Sequence, residues 1–280
     1  MDFIFESFPD IYTFQRTINK RQNNYCMEGV YYSQEGTEDF TGTKSYEQAE
    51  DLLYNGWKNV LDKIKVELKR INTAQAMECS ALVKSARGFA PSVPDAIRGL
   101  PKSMFTTKRV QENKERNAIN IVYHNNCSCC DKSDDTIKAG IVILKLCKLL
   151  DMNNIRTKID LISFCSRDNQ EQFVTCFVKI KDYRQTFNLL KVAYPLGHTS
   201  FYRRQGFKWL ETTTQSIKRS SSFRNHYGYT PNENDLIKNI DEAKKRRLVL
   251  DNNVYIKFTD IQECKYDINN VVQRFIGERK

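Results

Sequence analysis

Between residues 118 and 181 the hydrophobic period of the chain changes twice, and no other stretch restricts its fold as strongly. The run AINIVYH is short, β-branched and apolar, as a buried strand requires, and NNCSCCDKSDD after it is a polar loop ending in potential helix caps. The helix that follows carries Ile137, Ile141, Val142, Ile143, Leu144, Leu146, Leu149 and Leu150 spread around its circumference. A helix with so little polar surface is packed on a sheet and covered again from outside. KIDLISFC and QFVTCFVKI come next, two strand-like runs separated by the polar RDNQE and close enough to form a hairpin. The alternation predicts a layered α/β domain.

The rest of the chain is arranged around that unit. Downstream, residues 184–193 read as helical, YPLGHTS as a loop and residues 201–211 as a further helix. A helix near 233–245, a strand at 254–258 and a terminal helix at 268–276 complete it. Upstream, MDFIFESFPDIYTF and EGTEDFTGTKS carry no sustained period and predict extended segments and turns. Ser45 with Gln48 makes a capping-box pattern for a helix over 46–55, stopped by Gly56. A second helix from near Trp57 places Val60, Leu61, Ile64, Leu68 and Ile71 on one face. Residues 85–104 hold three of the six prolines, which suits an ordered crossing segment or linker. The expected organisation is a helical and extended region over 1–84, a Pro/Gly-rich and charged connector over 85–116, and the α/β domain over 117–280.

Composition narrows the functional classes. With 280 residues, 40% hydrophobic and 28% charged, the chain can bury a sizeable core. The acidic, aromatic N-terminus lacks a basic leader, and no apolar run approaches the roughly 18 residues of a membrane helix, so neither export nor a membrane partner is expected. Nine cysteines are an odd number, and Cys127, Cys129 and Cys130 crowd too closely for ordinary mutual bridging, which suits reduced thiols in a cytoplasm. The formal charge is +10, and more than half of the excess falls within residues 201–280.

Two places carry residue types suited to chemistry. The first is the CSCC loop, which the α/β reading brings to one sheet edge with Cys165, His124 and His198. Zinc accepts such donors, yet C-x-C-C is not a usual zinc spacing and no Cys-x-x-Cys partner exists; Cys127, Cys129, Cys130, Cys165 and His198 are weak metal candidates. Cys130 or Cys165 with His198 or His124 would be the corresponding thiol–imidazole pair. Small loop cysteines without a role are the plainer alternative, and Cys147 and Cys176 read as core. No phosphate-binding loop, nucleophile elbow or HExxH helix is present, which favours a non-enzyme without a cofactor. The second place is the basic and aromatic stretch 201–229, with Arg203, Arg204, Lys208, Trp209, Lys218, Arg219, Arg224 and Tyr227. Guanidinium groups neutralise phosphates and aromatic rings stack on unpaired bases, so the mixture suits single-stranded nucleic acid. The competing reading makes Phe201, Phe207 and Trp209 the core side of a helix.

The succession strand, polar loop, helix, strand, antiparallel strand, helix and Gly-x-Thr loop resembles the von Willebrand factor A fold, a Rossmann-like layered α/β domain. The resemblance implies a metal-ion-dependent adhesion site at Asn126, Ser128, Cys130 and Thr199. It would be degenerate, since Asn lacks the carboxylate charge and Cys is a soft donor where magnesium wants oxygen. FTGTKSYEQAEDLLYNGW at 40–57 and SVPDAIRGLPKSM at 92–104 are also similar to phrases of an uncharacterised tailed-bacteriophage protein family. That likeness implies a phage origin and a place in the host cytoplasm, with the virion left open. Together the resemblances imply a non-catalytic binding or assembly protein with a phage or host protein as partner; nucleic-acid binding through 201–229 is the alternative, and a cysteine-based metal or thiol site a distant third.

Overall fold

A computed structural model describes residues 2–22, 30–69, 80–109, 118–128, 131–153, 155–166, 172–213, 233–248 and 253–276. Five strands form its main sheet, in the order β1 (Asp2–Phe8), β7 (Gln172–Lys181), β6 (Arg156–Ser166), β5 (Ala118–His124) and β8 (Asn253–Lys257). The β1–β7, β5–β6 and β5–β8 pairs are parallel, and β6–β7 is the expected antiparallel hairpin. This is a mixed α/β fold compatible with a Rossmann-like layered architecture.

Strand periodicity divides the core between the two faces of the sheet. Ile121, Tyr123, Ile159, Leu161, Val174, Cys176, Val254 and Ile256 belong to the larger core. Val122, Ile162, Phe173 and Phe177 belong to the smaller one, which Ala243 of helix α9 (Glu233–Lys245) joins. On the larger face lies α6 (Ser133–Met152), buried from Ala139 to Leu144 and again at Leu146, Cys147, Leu149 and Leu150. Its outer side is covered by α4 (Lys58–Lys69) and α7 (Leu189–Gly197), as its all-round apolarity requires. The α6–α7 crossing is backbone to backbone: a Cβ on Gly140 would lie 2.4 Å from the Cα of Gly197.

Residues 2–22 are more regular than their sequence suggests. Helix α1 (Ile11–Lys20) is capped by the Asp10 carboxylate, which accepts from the Thr13 amide at 2.7 Å, and it buries Ile11, Phe14, Gln15 and Ile18. That spacing is helical, but it is short and is interrupted by the polar Gln15. Strand β1 joins the sheet edge, where Glu6 accepts both Arg21 guanidinium nitrogens (2.9 and 3.1 Å) and the Trp209 indole (2.7 Å). One core therefore runs across the boundary drawn at residue 84, with Phe8, Phe14, Leu53 and Trp57 in the same cluster as Ile121 and Leu144. Helices α2 (Glu38–Thr41) and α3 (Tyr46–Asn55) lie between; Ser45 caps α3 by accepting from the Gln48 amide, and Gly56 ends it at φ 79°.

Two further elements differ from expectation. The helix expected over 184–193 is α7, which begins later because Asn188 caps it through the Leu190 amide and which continues through Pro195 to Gly197. The segment 201–211 is a π-helical turn (Phe201–Gly206) running into α8 (Phe207–Thr212). Helices α10 (Phe258–Glu263) and α11 (Ile268–Phe275) follow β8. The Pro/Gly-rich stretch is not a simple crossing: β2 (Ser80–Ser85), β3 (Ala90–Pro91) and β4 (Met104–Arg109) form a small antiparallel sheet in the order β2-β4-β3, with helix α5 (Val93–Ile97) after β3. Residues 110–116, the rest of the expected connector, lie outside the described residues.

Candidate functional site

Strand β5 ends at His124, and the loop 125–128 leaves it at the carboxyl edge, where the N-terminus of α6 also lies. In layered α/β sheets ligands bind at this edge, because loops and helix N-termini converge there. Three more segments of the chain reach it here: residues 198–200 after α7, the π-helical turn, and residues 40–43 at the end of α2. Thr199 Oγ1 donates to the Thr41 carbonyl at 3.3 Å and lies 3.5 Å from Ser133 Oγ. Gly42, at φ 77°, makes the close approach possible; a Cβ there would stand 2.8 Å from Thr199 Oγ1 and 3.0 Å from His198 Cε1.

Arg203 binds these loops to one another. Its guanidinium donates to the Ser128 carbonyl at 2.6 Å and to the Phe40 carbonyl, and its Cζ lies 4.2 Å from the centre of the Phe40 ring. The side chain is 2% exposed. The loop after β5 is tethered from its other side by Asp131, whose carboxylate accepts the Ser128 amide at 2.6 Å and the Gln262 side-chain amide of α10 at 3.1 Å.

The other described basic and aromatic residues of the stretch, Arg204, Lys208 and Trp209, are also engaged by the chain itself. Arg204 is wholly buried and donates to the carbonyls of Tyr32 (2.8 Å), Gln34 (2.9 Å) and Thr43 (2.9 Å). The Lys208 ammonium sits 4.1 Å from the centre of the Tyr46 ring and 4.9 Å from that of Tyr32, and donates to Asn19 Oδ1 at 2.8 Å. Trp209 is buried with its indole N–H on Glu6. Burial withdraws Arg203, Arg204 and Trp209 from any surface contact, against the expectation of an exposed nucleic-acid face, because every residue of the π-helical turn is enclosed between the sheet's helices and the N-terminal segment. Lys218, Arg219, Arg224 and Tyr227 lie outside the described residues.

The positions implied for an adhesion site do not fit a divalent cation. Asn126 and Thr199 are buried and offer an amide and a hydroxyl; Ser128 spends its carbonyl on Arg203; Cys130 lies outside the described residues. None of the three described positions supplies a carboxylate, and the guanidinium on Ser128 would repel a hard cation. Cys129 and the side chain of Cys165 also lie outside the described residues. Burial pushes the Cys127 thiol up, and the neighbouring Arg203 charge only partly opposes it. Burial, with help from the Lys257 charge, lowers His124 to about 3, and burial alone lowers His198 to about 4. His198 Nδ1 instead accepts the Ser200 amide at 3.1 Å. Among the described residues no three His, Cys, Asp or Glu side chains are grouped to hold a metal ion.

Sequence reasoning missed the turn 40–43, Ser133 and Asp131 as parts of this edge. FTGT stands out as a phrase, but nothing local announces which loop it meets. A separate cavity of about 320 Å³, lined by Ser7, Phe8, Lys158, Asp160 and Lys179 among others, lies where β1 and β7 end and β6 begins. Both its lysines are ion-paired, with Asp160 at 2.5 Å and Asp182 at 3.1 Å.

Fold and site together define a class: a mixed α/β sheet protein whose ligand-binding edge is filled by its own chain. It belongs to the family described as Domain of unknown function (DUF7192), whose model matches residues 3–279. No curated protein and no solved structure matches the chain.

Proposed function

We propose that this protein is a non-catalytic binding or assembly module of the von Willebrand factor A type, with an adhesion edge converted from a cation site into an internal clamp. The observation that carries the reading is the Arg203 guanidinium, seated between the Ser128 and Phe40 carbonyls where the resemblance implies a metal. A fixed cationic side chain there joins the loop after β5 to the turn 40–43, a structural task that needs no exchangeable ligand. The succession that suggested the resemblance runs as β5, α6, β6 and antiparallel β7. The raised Cys127 thiol is no primed nucleophile for either acid-shifted imidazole, while Cys130 and the Cys165 side chain, the thiols of the expected pair, lie outside the described residues. The phage context implied by the phrases at 40–57 and 92–104 belongs to the same proposal, with a phage or host protein as partner. Nucleic-acid binding is the weaker reading, because Arg203, Arg204 and Trp209 are buried and the half-buried Lys208 is held on the Tyr46 and Tyr32 rings.

Calorimetric titration of the whole chain with Mg²⁺ and with Mn²⁺ tests the conversion. The expected result is no saturable heat with either ion. One saturable site that disappears in Thr199→Ala would overturn it.

A further inference from the structure

The small sheet carries surface that nothing else in the described molecule uses. Four of the ten exposed large apolar side chains among the described residues fall within twelve positions of it: Phe89 (67% exposed), Val93 (59%), Ile97 (81%) and Leu100 (47%). The other six are scattered over the first 66 residues, α7 and α9. Val93 and Ile97 share one face of α5, four residues apart. The inward side of that helix presents Asp95, which is paired with Lys84 and accepts the Ser92 hydroxyl at 2.6 Å. Neither hydrophobic cluster includes a residue of 84–106, the part of this unit whose side chains are described. Met104 and Phe105 of β4 are half-buried, whereas Phe89, Val93, Ile97 and Leu100 leave apolar surface uncovered.

Charge says what would cover it. From Lys84 to Thr106 the only acid is Asp95, already paired with Lys84, while Arg87, Arg98 and Lys102 are exposed and make no ion pair among the described residues. We infer that this patch docks an acidic protein segment that inserts apolar side chains between the three cations. The inference rests on the binding-module reading and moves the binding surface from the closed sheet edge to the small sheet. A second copy of the chain would bring three cations against three, so self-association is disfavoured. Among the described residues β2 pairs with β4 alone, and a strand edge can take a partner segment but not a lipid surface.

The test places a photo-crosslinking amino acid at position 97 of the full chain, and at position 66 or 237 for comparison, and irradiates it in a lysate of the source cells. The expected result is an adduct at 97 whose cross-linked peptide, sequenced by mass spectrometry, is net acidic with apolar residues. Its yield should fall by about tenfold or more in Arg87→Glu/Arg98→Glu/Lys102→Glu, with the circular dichroism spectrum unchanged. Adducts with a second copy, with phospholipid or with a basic or neutral peptide would overturn the inference, as would none above the comparison positions. Specific adducts at 66 or 237 with 97 silent would remove this surface and leave the binding-module reading standing.

Discussion

Arg203 and Arg204 are neighbours in sequence and both buried, yet they hold different parts of the molecule. Arg203 ties the turn 40–43 to the loop after β5, and Arg204 gathers the carbonyls of Tyr32, Gln34 and Thr43. Removing Arg204 would strand the buried Thr43 carbonyl and take the donor from the more accessible Tyr32 and Gln34 carbonyls, so Arg204→Met should lower unfolding free energy by about 2–3 kcal/mol. Chemical denaturation measures this. Lys at the same position should recover little, since one ammonium cannot reproduce the planar fork. His198 sets a pH dependence. Its folded pKa, about 4, lies below the unfolded value near 6.5, so the unfolded chain binds the proton first. That contribution is complete above pH 6.5, is lost as pH falls from 6.5 to 4, and amounts to about 3 kcal/mol. His198→Asn keeps an acceptor for the Ser200 amide and should remove about half of the histidine-linked slope over that interval in urea titrations, the rest coming from His124. At this scale the sequence was partly legible. It marked Thr199 and the basic cluster as unusual, but residue type alone does not say whether an arginine faces solvent or a carbonyl.

Elements with a strong local period were read well, and those fixed by distant partners were not. Helix α3, the α6 region, the β6–β7 hairpin and α9 follow from caps and periodicity within their own sequences. Helix α1 was missed because its four buried positions span barely two turns, while β1 was expected as an extended segment without its place in the sheet, because its pairing partner lies some 170 residues away. The π-helical turn has no sequence signature; it follows from enclosure of a segment that carries two arginines inward. Gly140 gives the sharpest test of element packing. A methyl group there meets the Gly197 backbone, which cannot turn aside as a side chain would. Gly140→Ala should therefore destabilise by about 3 kcal/mol despite alanine's better helix propensity, seen as a lower urea midpoint at unchanged slope. Near-wild-type stability would mean that α6 and α7 are further apart than described.

For the whole molecule, one core links the N-terminal helices to the five-stranded sheet, and no described side chain of the small β2-β4-β3 sheet belongs to it. The layered α/β class was legible from the alternation at 118–181, whereas the strand order was not, since pairing between remote segments leaves no local trace. The charge excess also changes meaning, because two of the cations at 201–224 are interior tethers while three exposed ones ring the small-sheet patch. The central claim is that the sheet's ligand edge is closed by the chain itself. Amide hydrogen exchange of the wild-type protein tests it most directly, at Thr41 and Gly42, whose N–H groups donate to the Thr37 and Glu38 carbonyls at 2.8 and 2.7 Å. A closed edge predicts protection of both amides approaching that of the β5 and β6 core, lost selectively in Arg203→Gln. Exchange of Thr41 and Gly42 at the rate of a free surface turn in the wild-type protein would contradict it.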